Sequence, residues 1–177
     1  MRIISGTNKG RRIIAPQKLP VRPTTDMAKE ALFNILRNQF PLQNIAVLDL
    51  FAGTGNISYE FASRGTENIT AVDGSFECVK FIKKTSAELD FPIQVIKSDV
   101  FKYLEKAPVK ADVIFADPPY DFDKETFEKI ANLTFENEVL NPEGILIIEH
   151  SKHTDLSSVT NFKNSRKYGS SMFSFFS

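Results

Sequence analysis

From Ile45 onward the chain alternates short apolar runs with stretches in which apolar residues recur every three or four positions. Apolar runs of that length read as buried strands, and the wider spacing reads as one face of a helix. The pattern predicts strands near 46–50, 68–73, 93–97, 111–116 and 144–149, and helices near 56–64, 75–89, 100–106 and 123–135. Strands alternating with helices imply an α/β fold, a mostly parallel sheet covered on both faces with right-handed crossovers. The tail from Phe162 to Phe176 has a Gly169-Ser170 turn between two strand-like pieces, so the sheet is expected to end in an antiparallel pair.

Before Ile45 the pattern changes. Arg2 to Ser5 and Arg11 to Ala15 flank the turn-rich Gly6-Thr7-Asn8-Lys9-Gly10, which reads as a β-hairpin with Lys9 in its turn and Arg11 and Arg12 projecting from it. Pro16, Pro20 and Pro23 keep the following connection extended. Thr24 or Thr25 can then cap a helix with Asp26 in its first turn and an apolar stripe of Ala28, Ala31, Leu32, Ile35 and Leu36, ending before Pro41.

At 177 residues the chain is one domain's worth, with a basic arm over 1–22 attached to a body over 23–177. Net charge is zero, with 22 basic and 22 acidic residues, an average that argues against a nucleic-acid partner. The average hides an asymmetry: residues 1–22 hold Arg2, Lys9, Arg11, Arg12, Lys18 and Arg22 and no acid, so the arm is +6 and the remainder −6. Such an arm is a surface for phosphates, the plainer alternative being an ordinary solvated hairpin face. The lone Cys78 cannot form an internal disulfide, and its helical spacing with Phe81, Ile82 and Leu89 reads as a buried core thiol. No apolar run approaches the length of a membrane span, and the charged N-terminus lacks a following apolar segment, so a cytosolic protein is the expectation, with a monomer as the default. His150 and His153, three apart without a cysteine or carboxylate cluster, read as surface polar residues at a strand end rather than metal ligands.

The run Ala111-Asp-Val-Ile-Phe-Ala116 stops abruptly at Asp117-Pro118-Pro119-Tyr120. Two prolines have no backbone N–H and fix φ, so the strand ends there with carbonyl oxygens that no ladder partner claims. Beside them stand a carboxylate that accepts from N–H groups and a ring that can stack on a flat heterocycle. An exocyclic amine of a nucleobase suits that set. Its lone pair is delocalised into the ring, and two acceptors on its hydrogens would favour a pyramidal, nucleophilic nitrogen. The bland alternative is a Pro-Pro loop with a helix-capping Asp.

A second motif lies at Ile45-Ala-Val-Leu-Asp49-Leu-Phe51-Ala-Gly53-Thr54-Gly55, a buried strand feeding a glycine turn and then a helix, the way α/β folds present backbone amides to a ligand. The dinucleotide fingerprint wants glycine where Ser58 stands, which weakens a nicotinamide reading. Asp73 closes the next strand where a ribose-hydroxyl acceptor belongs, and Asp99 follows the run Ile93 to Ile96. Each Asp alone could equally be a turn or cap residue; together, at successive strand ends, they point to one site.

These motifs resemble those of the class I S-adenosylmethionine-dependent methyltransferases, a Rossmann-like fold with a seven-stranded sheet and one antiparallel strand near its end. The resemblance implies S-adenosylmethionine held by Asp49, Phe51, Gly53, Thr54 and Gly55, with Asp73 on its ribose and Asp99 and Val100 beside its adenine. Asp117, Pro118, Pro119 and Tyr120 are similar to the catalytic motif of the amino-methylating branch, which serves adenine N6, cytosine N4 and guanine N2 alike. Met1 to Ala15 together with Arg22-Pro-Thr-Thr-Asp26 resembles the bacterial 16S ribosomal RNA guanine-N2 methyltransferases, and that resemblance runs the length of the chain. It implies a 16S rRNA substrate within the small ribosomal subunit or its assembly intermediate, contacted by Arg2, Lys9, Arg11, Arg12, Arg22 and Thr24. Competing readings are an adenine amino-methyltransferase, which usually needs a further sequence-reading domain; a nicotinamide oxidoreductase, which leaves Asp-Pro-Pro-Tyr unexplained; and a non-catalytic RNA-binding module.

Overall fold

A computed structural model describes residues 1–17, 19 and 24–177. Its strands are β1 (Ala46–Leu50), β2 (Asn68–Asp73), β3 (Ile93–Lys97), β4 (Ala111–Ala116), β5 (Leu140–Ser151), β6 (Phe162–Tyr168) and β7 (Ser171–Phe176). The helices are α1 (Asp26–Gln39), α2 (Asn56–Ser63), α3 (Phe76–Leu89), α4 (Val100–Glu105) and α5 (Lys124–Glu136), with a short 3₁₀ turn at Leu42–Asn44. One seven-stranded sheet runs in the order β3-β2-β1-β4-β5-β7-β6. All neighbours from β3 to β5 are parallel, and only β7 runs against the rest, as the Gly169-Ser170 turn predicted. This is the Rossmann-like class I methyltransferase architecture.

Period-two alternation sorts each central strand between two cores. Leu48, Leu50, Ile114, Leu146 and Ile148 face α4 and α5. Val47, Val113, Phe115 and Ile147 face α1 and α2, where Leu32, Phe33, Leu36 and Phe61 cover them. Removing a side chain such as Leu48, fully buried, costs about 2–5 kcal/mol by the usual Leu→Ala range. Strand β5 begins earlier than the apolar run, because Leu140 pairs with Ala111 across a register shift before the regular pairing from Val113 with Ile145.

Thr25 caps α1, its hydroxyl accepting from the Ala28 amide. Two of the sequence's expected stripe positions, Ala31 and Ile35, are only partly covered, and α1 instead buries Lys29 and Phe33. The N-terminal hairpin forms around one antiparallel bridge between Arg2 and Arg12, with amides of Ile3 and Ile13 donating to the carbonyls of Arg11 and Met1. It lies against the body rather than free of it. Ile3 and Ile13 pack with Tyr59 of α2 and Ile82 of α3, and the amides of Ile4 and Ser5 donate to the two oxygens of buried Glu60 at 2.9 and 3.0 Å. Lys29, with no exposed surface, completes the anchor by donating to the Arg2 carbonyl at 2.6 Å and lying 3.3 Å from Glu60. Pro20 and Pro23, expected to hold the connection extended, lie outside the described residues, as do Lys18 and Arg22.

Candidate active site

The carboxyl ends of β1, β2 and β4 open on a cavity of about 480 Å³ lined by Asp49, Phe51, Gly53, Thr54, Asp73 and the whole of Asp117 to Tyr120, with Thr24 and Asn56 closing one side. Both expected motifs therefore share one space.

The glycine turn is shaped by backbone. Phe51, Gly53 and Gly55 all adopt positive φ (55°, 55° and 79°), and a side chain on Gly55 would meet the Tyr59 ring at 2.8 Å. Asp73 pins the turn from the neighbouring strand: one carboxylate oxygen accepts from Gly53 N at 2.8 Å and the other from Ser75 N at 2.7 Å. Asp49 points to the α1/α2 face and accepts from both the amide and hydroxyl of Ser58. The residue that spoiled the dinucleotide fingerprint is thus the partner of the strand acid. Burial pushes the Asp49 carboxyl up to about 7, with the Ser58 hydrogen bonds opposing and Asp73 adding to the rise.

At the other motif, Pro118 is buried, while Pro119 and Tyr120 are exposed, Tyr120 at 40%. The Pro119 carbonyl is taken by the Phe122 amide at 3.2 Å, so among the described residues the free proline oxygen is that of Pro118. Burial pushes the Asp117 carboxyl well above the usual carboxylate range, and the charges of Glu149 and Asp49 push it further. The register explains the first neighbour: Phe115 pairs with Ile147, so two residues on, Asp117 and Glu149 stand side by side on one face of adjacent strands. Sequence reasoning missed Glu149. It is buried, and it accepts from Thr24 Oγ1 at 2.7 Å and from the Tyr120 hydroxyl at 3.1 Å.

Several expectations are relocated. Asp99 and Val100 do not line the cavity: Asp99 caps α4 with its carboxylate on the Lys102 amide at 2.9 Å, and Val100 is buried in the α4/α5 core. Beside that helix start, Phe101 and Phe122 instead form an edge-to-face cluster with Phe51 at 6.1 and 5.9 Å between ring centres. Thr24, expected among the RNA contacts of the arm, is buried in the cavity wall. Lys9, Arg11 and Arg12 are exposed, and Arg2 is held by Asp26 at 3.1 Å. His150 is corrected from surface to interior: it is 1% exposed, its Nδ1 donates to the Ser151 carbonyl at 2.9 Å, and its Nε2 meets Ser174 Oγ at 2.7 Å. A carbonyl can only accept, which fixes the proton on Nδ1 of a neutral ring. Cys78 is a buried free thiol, as its spacing predicted. No cluster of metal-ligating side chains occurs among the described residues, and no helix is long and apolar enough to cross a membrane.

The family model described as Conserved hypothetical protein 95 matches residues 1–177. The chain belongs to this family, that of the RsmD-type methyltransferases. The ribosomal RNA small subunit methyltransferase D of Buchnera aphidicola subsp. Acyrthosiphon pisum is 32% identical over 152 residues, spanning 85% of this chain and 78% of that one. The solved structure of the Escherichia coli protein yhhF superposes with a TM-score of 0.86 at 28% identity, covering 99% of this chain and 96% of that one. A Thermus thermophilus 16S rRNA N2 G1207 methyltransferase (RsmC), solved with AdoMet and guanosine, shares the fold with a TM-score of 0.70 at 20% identity over 86% of this chain and 43% of its own.

Proposed function

We propose that this methyltransferase transfers a methyl group from S-adenosylmethionine to the exocyclic N2 amine of a guanine in 16S ribosomal RNA. The observation that carries the reading is that a single cavity is lined by Gly53 of the glycine turn, by Asp73 and by Asp117 to Tyr120, from strands on either side of β1. The residues fit the cofactor: Gly53 brings side-chain-free backbone to the cavity wall, Asp73 offers acceptors for ribose hydroxyls, and the Phe51 ring offers an apolar surface. When bound, S-adenosylmethionine supplies an electrophilic methyl group.

The protein's part is placement. Ionised Asp117 and the Pro118 carbonyl accept the two hydrogens of the amine, so the nitrogen lone pair gains direction. The Tyr120 ring stacks on a base swung out of its strand, contributing roughly 1–3 kcal/mol. Holding reactants in attack geometry can supply roughly 7–11 kcal/mol of the barrier. Lys9, Arg11 and Arg12, exposed on the docked hairpin, form the phosphate-binding surface that brings the RNA to the cavity. RNA of the small subunit or its assembly intermediate is the proposed partner. The test is incubation with undermethylated small ribosomal particles and labelled cofactor, followed by mapping of the modified base. Label on guanine N2 is expected; label on an adenine, or none, overturns the assignment.

A further inference from the structure

We infer that Glu149 is a positioning residue of the base pocket: its carboxylate holds Tyr120 in place beside Asp117, and Thr24 ties that carboxylate to the N-terminal arm. The inference rests on the function proposed above for its account of what Tyr120 contacts, but its geometry stands independently. Glu149 is 1% exposed, and among the described residues it has no cationic partner. Among the described residues its oxygens are met only by hydroxyls, Tyr120 at 3.1 Å and Thr24 at 2.7 Å. The ionisable groups that act with it are Asp117, just past the end of β4 and also under the influence of Asp49 of β1, and Tyr120 itself. Burying a carboxyl group beside two others is costly, and an apolar side chain of similar volume would pack there more cheaply. Local rules are broken in this manner where a site needs the group.

What Glu149 does is visible in the side chain it holds. An exposed tyrosine ring on a loop would exchange rotamers freely. Tyr120 is instead fixed at its far end, by Glu149 and by Ser171 Oγ of β7 at 3.2 Å. The fixing continues through the molecule. The Thr24 carbonyl accepts from Asn56 Nδ2 at 3.0 Å, Asn56 Oδ1 accepts from Lys29 at 2.8 Å, and Lys29 donates to the Arg2 carbonyl. The buried chain Lys29, Asn56, Thr24 and Glu149, ending on the exposed Tyr120, thus makes the arm and the base platform one mechanical unit.

Three variants and their combination test this. Glu149→Ala should lower kcat by roughly 10- to 100-fold, the loss expected for a charge-assisted hydrogen bond, while cofactor affinity stays within about twofold. Tyr120→Phe should lose a similar factor, and the double variant should be no worse than Glu149→Ala alone, because both remove one contact. Glu149→Gln can still accept from Tyr120, so it should recover most of kcat. With one anion gone, its activity should begin at lower pH than in the wild type. Fluorotyrosine NMR adds a readout free of turnover: the Tyr120 signal should shift and broaden in Glu149→Ala and stay near its native position in Glu149→Gln, with Thr24→Val intermediate. Multiplying losses in the double variant, or an unmoved Tyr120 signal together with an unmoved pH limb, overturns the inference. A responsive Tyr120 signal in a protein that methylates no RNA would overturn the proposed function and leave the positioning role standing.

Discussion

Asp73 Oδ2 accepts from the Gly53 amide at 2.8 Å while Oδ1 accepts from Ser75, so one carboxylate both shapes the glycine turn and faces the cavity beside it. Asp73→Ala should remove both roles. Cofactor affinity, measured by titration calorimetry, is expected to fall by roughly tenfold or more, the worth of one or two charge-assisted hydrogen bonds. Undiminished affinity would refute the ribose assignment.

Asp117 has no such duty toward the turn. Its carboxylate receives no hydrogen bond from the protein among the described residues, and its backbone amide donates to the Leu50 carbonyl at 3.3 Å whatever its side chain. Asp117→Ala should therefore keep cofactor binding and lose turnover by orders of magnitude. Retained single-turnover transfer would show that Asp117 is not the amine's acceptor.

The same residue sets a pH dependence. Burial and the adjoining Glu149 and Asp49 charges raise the Asp117 carboxyl well above its ordinary value, so at mildly acidic pH it is protonated and poorly suited to accept from an amine. Turnover with saturating cofactor should rise as pH increases through the displaced titration. A rate falling over that range would contradict the role. Stability runs the other way. Asp49, raised from 3.8 to about 7, binds its proton more tightly folded than unfolded, so its protonation favours the fold at low pH and that contribution is lost as pH climbs from about 4 to 7. In Asp49→Asn the melting temperature should decline less over that interval.

Deleting the arm would not isolate its role, because the arm carries Ile3 and Ile13 into the core and supplies the amides that satisfy Glu60. Replacing Lys9, Arg11 and Arg12 by alanine leaves those contacts alone. RNA affinity should drop, and the slope of log K against log salt should flatten by about two to three, with cofactor affinity unchanged. Equal slopes would remove the arm from the RNA interface.

Gly6 offers an independent handle. Its φ is 87°, and a methyl group there would fall 1.7 Å from the Ser63 carbonyl oxygen, which also accepts from the Thr7 amide. Gly6→Ala should destabilise the protein by at least about 1–3 kcal/mol, the scale of a forced backbone conformation, and a denaturation midpoint equal to the wild type would show that the turn does not seat there.

The strands and their carboxyl-end motifs were legible because each is local: the apolar run, the glycine pair, the double proline. The anchors were not, because they join positions far apart. Thr24 and Glu149 are 125 residues from each other, and Ile4 and Glu60 are 56 apart. Polar side chains such as Lys29, Glu60 and His150 look like surface residues until the partner that makes their burial tolerable is known. The Asp99 position reads two ways from the sequence alone, because the same spacing that puts an acid after a strand also makes a helix cap, and its carboxylate caps α4. One signal for Glu149 was present. Val113, Phe115 and Asp117 on one strand repeat the spacing of Ile145, Ile147 and Glu149 on the next, which sets two acids at matching heights once the strands are paired.

The buried Lys29 and Glu60 contact has a consequence for how the arm responds to its surroundings. Both side chains are almost wholly shielded from solvent, so dissolved ions weaken their attraction little, whereas the exposed arginines on the same hairpin are screened within about 10 Å at ordinary ionic strength. Brine strong enough to strip phosphates from the hairpin would leave it seated, and the protein could release its RNA without its fold coming undone.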